Sequence, residues 1–128
     1  GDIMLQEEIK NVNIQFYTLF FSLLSIIISI FLTYNDKLQT EGNNPLIDNK
    51  KNYNITLFNR ILILFIAITF LYVNYSSYKN AKEKKKNLKR YQLQIITSIL
   101  TIIAALISLY VVYKSTEETL VDLENPII

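Results

Sequence analysis

The chain of 128 residues contains no cysteine, histidine or tryptophan, and only two glycines and two prolines. The absence of cysteine excludes disulfides and thiol chemistry. The absence of histidine removes the commonest metal ligand and general base. With so few glycines and prolines, the sequence has no broken helix of the kind that transporters use at their binding sites.

Charge is missing from three long stretches of the sequence. They are residues 11–35, 61–78 and 91–113, with 25, 18 and 23 residues. Because a helix rises about 1.5 Å per residue, each stretch reaches roughly 27 Å or more, close to a hydrocarbon core of about 30 Å. Hydrophobic residues make up 51% of the chain and concentrate in these stretches. A soluble helical bundle would instead carry a charge every few positions.

We therefore predict an all-α integral membrane protein in which residues 1–128 form a single domain. Its three transmembrane helices form an up-down-up bundle, followed by a short C-terminal interfacial helix. The predicted segments are spans at about 14–34, 57–78 and 91–113, an outer loop at 35–54, a basic inner loop at 79–90 and an acidic tail at 114–128.

Two connecting segments differ sharply in charge. Residues 79–90 carry seven basic side chains against Glu83 alone, whereas the tail from residue 114 has a net charge of −3. Short loops rich in lysine and arginine stay on the cytoplasmic side of a membrane. We therefore expect the N-terminus inside, the 35–54 loop outside and the C-terminus outside.

The basic inner loop is expected to contact lipid headgroups as well as to set the orientation. Its contacting residues are Lys84, Lys85, Lys86, Lys89 and Arg90. Each basic residue near an anionic lipid surface contributes about 1 kcal/mol of attraction. Because glycine and proline are absent from this loop, its ends should extend the flanking helices toward a tight turn near Asn87.

Arg60 lies at the outer end of the second span, after the apolar Ile55, Leu57 and Phe58. We interpret it as an anchor whose guanidinium extends outward to the headgroups. The alternative is that it marks a functional path, as intramembrane arginines often do. Asn59 beside it is suited to hydrogen bond with a neighbouring helix.

Two stripes of small residues indicate where helices approach one another closely. The first span carries Ser22, Ser25 and Ser29; the third carries Thr97, Thr101, Ala104 and Ser108. Small and hydroxyl residues let helices pack closely in lipid, so we predict a tight contact between spans one and three. The bulkier second span then covers this contact or faces a partner. Alternatively, such a stripe lines a water-filled pore in an oligomer, although hydroxyls also bond to their own helix backbone.

The segments outside the spans carry turn and capping signals. Gly42, Asn43, Asn44 and Pro45 favour an irregular loop over residues 35–54. In the tail, Ser115 to Glu118 matches the capping-box pattern, which predicts a helix from residue 116 to about 123.

The spans contain no Asp, Glu, Lys or His between their bracketing charges, so no acid–base pair or metal site is expected in the bilayer. We expect no enzymatic activity, no cofactor, no metal and no nucleic-acid partner. The expected partners are the lipid bilayer, other membrane subunits or capsid-type proteins, and further copies of the chain in a homo-oligomer.

The leading hypothesis is a structural or accessory subunit that anchors or braces a larger membrane assembly. Abundant Ile, Asn and Lys indicate an AT-rich genome, which fits the membrane layer of a large DNA virus or a membrane complex of an AT-rich organism.

The rival hypothesis is an oligomeric pore or channel. Three spans in so short a chain resemble one class of phage holins, and the resemblance implies membrane permeabilisation. Members of that class usually have the N-terminus outside and a basic cytoplasmic tail, whereas this chain has the reverse charge arrangement.

Overall fold

A computed structural model describes residues 2–115 as three long helices. They are α1 (Asp2–Thr40), α2 (Asn49–Glu83) and α3 (Lys89–Lys114), and no strand occurs among the described residues. The all-helical prediction is confirmed. The predicted C-terminal helix from residue 116 lies outside the described residues.

All three helices are long and apolar enough to cross a membrane. The shortest, α3, has 26 residues, and at about 1.5 Å per residue it exceeds a hydrocarbon core of about 30 Å. In their most apolar windows only 22, 28 and 17% of the residues are buried. Large side chains such as Phe20, Ile30 and Leu100 are more than half exposed. A surface of this kind suits lipid, and the membrane class is supported.

The first connection is shorter than the sequence predicted. We expected residues 35–54 to be irregular, whereas α1 continues to Thr40 and α2 begins at Asn49. Polar residues alone do not end a helix, and no glycine or proline occurs between Gly1 and Gly42. The Nζ of Lys37 lies 2.9 Å from a carboxylate oxygen of Glu41, a pair that supports the last turn.

Gly42 ends α1 by adopting a left-handed conformation, with φ of 78°. The Asn43 amide donates to the Leu38 carbonyl and the Gly42 amide to the Gln39 carbonyl, the two bonds of a Schellman motif. The following backbone is held by Asn35, whose Oδ1 accepts from the amides of residues 46 and 47 at 2.7 and 3.2 Å.

The second connection uses the same motif without a glycine. Lys85 has φ of 56°, its amide donates to the Lys82 carbonyl, and the Lys86 amide donates to the Ala81 carbonyl. The Oδ1 of Asn87 accepts from the Lys89 amide at 3.0 Å. The predicted extension of both helices toward a tight turn near Asn87 is therefore confirmed.

The central helix of the bundle is α2. It packs against both α1 and α3, whereas α1 and α3 contact each other only marginally. Our prediction of a tight contact between the first and third spans is therefore wrong. Each stripe of small residues borders α2, and the prediction overlooked that α2 carries two faces that pack closely against its neighbours.

Buried residues recur every seven positions in each helix. The series are Asn11, Thr18, Ser25 and Leu32 in α1; Asn52, Asn59, Ile66, Val73 and Asn80 in α2; and Ser98, Ala105 and Val112 in α3. A seven-residue spacing is the repeat of left-handed coiled-coil packing. A second α2 series, at Arg60, Ala67 and Ala81, gives this helix the wider buried band that two neighbours require.

Hydrogen bonds join α1 to α2 along most of their length. The Asn11 Nδ2 donates to the Ser76 hydroxyl at 2.8 Å, near the start of α1 and the end of α2. At the other end, the Asn52 Nδ2 donates to the Asp36 carboxylate at 3.3 Å. Residue numbers therefore increase along α1 while those of the contacting residues in α2 decrease.

Asp36 and Arg60 are the buried charged residues among those described, and each is 6% exposed. Both make interactions within the protein. The interpretation of Arg60 as an anchor exposed to the headgroups is therefore wrong, because neighbouring helices cover its side chain. Since α2 faces two helices, a long side chain in its second buried series becomes enclosed by protein.

We predict that the opposite charges of Asp36 and Arg60 compensate each other at this end of the bundle. Replacing one member of a compensating buried pair leaves an unbalanced charge, which costs about 3–5 kcal/mol. Arg60→Leu and Asp36→Asn should each destabilise the protein strongly, and the double variant by less than their sum. Denaturation in detergent, followed by helicity, measures this; strictly additive losses would contradict the coupling.

Candidate functional site

Asn59 connects α2 to the serine stripe of α1. Its Oδ1 accepts from the Ser25 hydroxyl at 2.8 Å, and its Nδ2 donates to the Ser29 hydroxyl at 2.9 Å. All three residues are buried. One carboxamide thus satisfies two hydroxyls of the facing helix, an arrangement that favours association where the alternative is a polar group in hydrocarbon.

Asn74 makes the corresponding contact with α3. Its Nδ2 donates to the Ser98 hydroxyl at 2.6 Å and lies 3.5 Å from the Gln94 carbonyl. The Ser98 hydroxyl in turn donates to that carbonyl at 3.0 Å. Both neighbours of α2 are therefore held by asparagine–serine contacts.

A cleft of about 560 Å³ separates α1 from α3, with α2 as its floor. Its volume lies within the range of about 300–1,000 Å³ typical of small-molecule sites. The serine stripe of α1 and the Thr97–Thr101 part of the α3 stripe face this cleft instead of each other. The polar lining comes from Gln15, Ser22, Ser25, Ser29, Asn74, Gln94, Thr97, Ser98 and Thr101, and the apolar lining from Ile26, Ile63, Ile66, Ala67 and Phe70.

The hydroxyls in the cleft are less polar than the sequence indicates. Ser22 donates to the Thr18 carbonyl at 3.2 Å, Thr97 to the Leu93 carbonyl at 2.9 Å, and Thr101 to the Thr97 carbonyl at 2.8 Å. Each proton is used within its own helix, so these side chains expose mainly methyl, methylene and lone-pair surface.

A second cavity of about 380 Å³ continues the cleft toward the basic turn. It shares Gln15, Asn74 and Gln94 with the cleft, so the two spaces are contiguous. Its outer lining includes Lys86 and Arg90. An end that is rich in positive charge therefore leads into a mostly apolar interior.

At the cation-rich end of this cavity, Arg90 packs against the ring of Tyr91. The Arg90 guanidinium carbon lies 5.0 Å from the ring centre of Tyr91, in cation–π range. A further space of about 380 Å³ is lined by Lys86, Asn87, Arg90 and Tyr91, and it opens the cavity to the surface. We call this end, formed by Lys86, Arg90 and Tyr91, the basic mouth.

Glu8 joins α1 to the second turn by an ion pair with Lys84. It lies before the uncharged stretch of α1, and its hydrogen bond to Lys84 lowers the pKa of its carboxyl group. Lys86 adds a smaller lowering effect. The carboxylate is therefore ionised at neutral pH, and this surface contact holds the beginning of α1 beside the turn.

Four other predicted site residues line neither the cleft nor the basic mouth. Ala104 and Ser108 are half-buried farther along α3, and neither lines the cleft. Lys85 and Lys89 are exposed at the turn, and neither lines the basic mouth. The structure thus brings together seven of the predicted polar and basic residues along one channel: Ser22, Ser25, Ser29, Thr97 and Thr101 in the cleft, and Lys86 and Arg90 at its end.

Sequence reasoning missed Ser98, which is buried, and chose its neighbour Thr97, which is exposed. It also missed Asn11 and Asn80, both buried and both lining the second cavity. The signal was present in the seven-residue spacing of Asn11, Thr18 and Ser25, and of Ser98 and Ala105. A spacing of three or four residues fits several adjacent faces of a helix equally well, so it does not identify the face that is buried.

The polar groups of the described site are carboxamides, hydroxyls, cations and the carboxylate of Glu8, which is paired with Lys84. Such groups suit the binding of a polar or anionic ligand. Among residues 2–115, no group of three or more Asp, Glu, His or Cys side chains is placed to hold a metal ion. Comparisons of the chain with protein-family models, curated proteins and solved structures gave no match.

We predict that Asn59→Leu weakens the contact between α1 and α2 by about 1–3 kcal/mol, because two interhelical hydrogen bonds are lost in a low-dielectric setting. Unfolding of the purified protein in detergent, titrated with a denaturing detergent, measures the loss. Asn54→Leu is the matched control, since Asn54 is exposed near the start of the same helix. Equal stability of the two variants would show that the Asn59 contact contributes nothing.

Proposed function

We propose that the protein is a small non-enzymatic membrane subunit that anchors or braces a larger assembly. The observation that carries this proposal is that polar side chains make the contacts between helices, whereas apolar side chains form the outer surface. Asn59 and Asn74 hold the helices together, while the outer surface of the bundle carries many large exposed apolar side chains. Such a surface supports lateral contact with lipid and with other transmembrane helices.

The proposed arrangement in the membrane is an up-down-up bundle with the N-terminus inside and the C-terminus outside. The basic turn after α2 supports this orientation, since lysine- and arginine-rich short loops stay on the cytoplasmic side. The order of the hydrogen bonds between α1 and α2 supports the alternating path. A short interfacial helix after α3 remains part of the proposal.

The proposed partners are the bilayer itself and other membrane subunits or capsid-type proteins. Residues 41–48 form the outer connection, which is exposed over nearly its whole length and is held in place by Asn35 and by Asp48 at the start of α2. A fixed, exposed connection suits contact with a second protein. The setting that we propose is the membrane layer of a large DNA virus or a membrane complex of an AT-rich organism.

The cleft favours a second candidate function, an oligomeric holin-like pore. In such an oligomer the Ser22 and Thr97 faces of several copies would surround water. The use of their hydroxyl protons by carbonyls of the same helix favours the bracing role instead.

The orientation gives a direct prediction, since the chain has no native cysteine. Asn44→Cys, in the outer connection, should react with a membrane-impermeant maleimide in intact cells. Glu83→Cys, at the end of α2, should react only after the membrane is opened, and this substitution keeps every basic residue of the turn. Labelling of Glu83→Cys in intact cells, with Asn44→Cys protected, would reverse the proposed orientation.

The bracing role predicts that the purified protein does not permeabilise vesicles. Dye-loaded vesicles containing the wild-type chain should release no more dye than protein-free vesicles, because Ser22, Thr97 and Thr101 donate their hydroxyl protons to carbonyls of their own helices and not to water. Extraction from the native membrane in mild detergent should recover the chain together with other subunits. Dye release that scales steeply with protein concentration would support the pore instead.

A further inference from the structure

We infer that the cleft and its basic mouth form a binding site for one anionic glycerophospholipid. The phosphate lies between Lys86 and Arg90, and one acyl chain lies in the cleft between α1 and α3. The inference goes beyond the bracing role and does not depend on it, since it requires only that the helices lie in a bilayer.

The first observation is charge complementarity at the depth of the headgroups. Lys86 and Arg90 line the mouth from the turn and the first turn of α3, and both side chains are exposed. Glu8 also lines this cavity, but its carboxylate is paired with Lys84. Basic pockets between transmembrane helices on the cytoplasmic side are typical sites for anionic headgroups.

The second observation is a pair of buried polar atoms without a protein partner. Within the described part of the chain, the Nδ2 of Asn80 and the Oδ1 of Asn11 make no hydrogen bond. The residues are 9% and 4% exposed, and both line the second cavity. A buried polar atom is costly unless it is satisfied, so a donor and an acceptor here point to a polar ligand. The ester carbonyl of a glycerolipid would accept from Asn80, and a headgroup hydroxyl would donate to Asn11.

The third observation is the change in character along the channel. Beyond Gln15, Asn74 and Gln94 the polar cavity gives way to the cleft, whose floor is Ile63, Ile66 and Ala67. Because Ser22, Thr97 and Thr101 donate their hydroxyl protons to carbonyls of their own helices, these sides of the cleft accept methylene groups without leaving those protons unsatisfied. The order of chemistry, cation then carboxamide then apolar surface, matches the order in a phospholipid: phosphate, ester, acyl chain.

The geometry of the turn determines which basic residues line the mouth. Lys85 takes the left-handed position of the Schellman motif, and Lys86 follows it with its amide bonded to Ala81. This places Lys86 at the cavity, while Lys82 and Lys89 are exposed and line none of the three connected spaces. The chain therefore contains its own control for diffuse attraction to an anionic surface.

The test titrates the full chain in detergent micelles with phosphatidylglycerol and with phosphatidylcholine of the same acyl composition, and counts bound lipid by native mass spectrometry. We expect one phosphatidylglycerol to bind more tightly than phosphatidylcholine. Lys86→Gln with Arg90→Gln should weaken its binding about thirtyfold, the product of two losses of basic groups near the phosphate. Lys82→Gln with Lys89→Gln removes the same charge and should leave the affinity close to that of the wild type.

A second pair of variants tests the acyl chain. Thr97→Trp fills the cleft and should weaken phosphatidylglycerol binding, while Ile96→Trp, on the adjacent exposed face of α3, should not. Circular dichroism confirms that each variant is helical. Glycerol 3-phosphate at the same concentration should not displace the lipid, because it lacks the chain.

Four results would each overturn the inference. Equal losses from the two lysine-containing pairs would reduce the effect to diffuse attraction by the whole turn. Unchanged binding in Thr97→Trp, or displacement by glycerol 3-phosphate, would assign the mouth to a free phosphate group without an acyl chain. A lipid-free dimer or a complex with another helix that Thr97→Trp disrupts would assign the cleft to a protein instead.

Discussion

The structure depends on the high cost of an unsatisfied polar group in hydrocarbon. In water, an asparagine side chain exchanges one partner for another with little net gain, but inside a bilayer it must find partners in protein. Asn59 and Asn74 meet this requirement on two faces of α2, each with a serine on a different neighbour. Their positions make α2 the centre of the bundle. The cleft follows from this arrangement, since α1 and α3 are each held by a different face of α2 and hardly contact each other.

Membrane class and helix content were predictable from the sequence because they depend on local composition. Uncharged length sets the minimum span, and the scarcity of glycine and proline predicts continuous helices. The loop boundaries were less predictable. Residues 35–40 are polar except for Leu38, yet they remain helical because backbone hydrogen bonds continue until Gly42 adopts a left-handed conformation. Polarity predicts which residues leave the membrane, but it does not predict where a helix ends.

The predicted pairing of the first and third spans was wrong because it considered only the size of side chains. It ignored how far a carboxamide can extend to form a hydrogen bond with the facing helix. The stripes on the first and third spans look complementary as lists of small residues, and the second span looks too bulky to fit between them. The structure shows that a carboxamide extends far enough to bond a serine on the facing helix, while Ala67 and Ala81 admit close approach elsewhere along α2. The choice of Thr97 over Ser98 has the same origin: adjacent positions are chemically alike, and only the partner helix distinguishes them. Likewise, nothing in a run of lysines indicates which one the turn directs toward the cavity.

The weak contact between α1 and α3 also has a mechanical consequence. Because α1 and α3 are each held by α2 and hardly contact each other, we expect the angle between them to be the least constrained feature of the bundle. A change in this angle would change the cross-section of the protein in one leaflet, so we expect lateral pressure and membrane curvature to act on it.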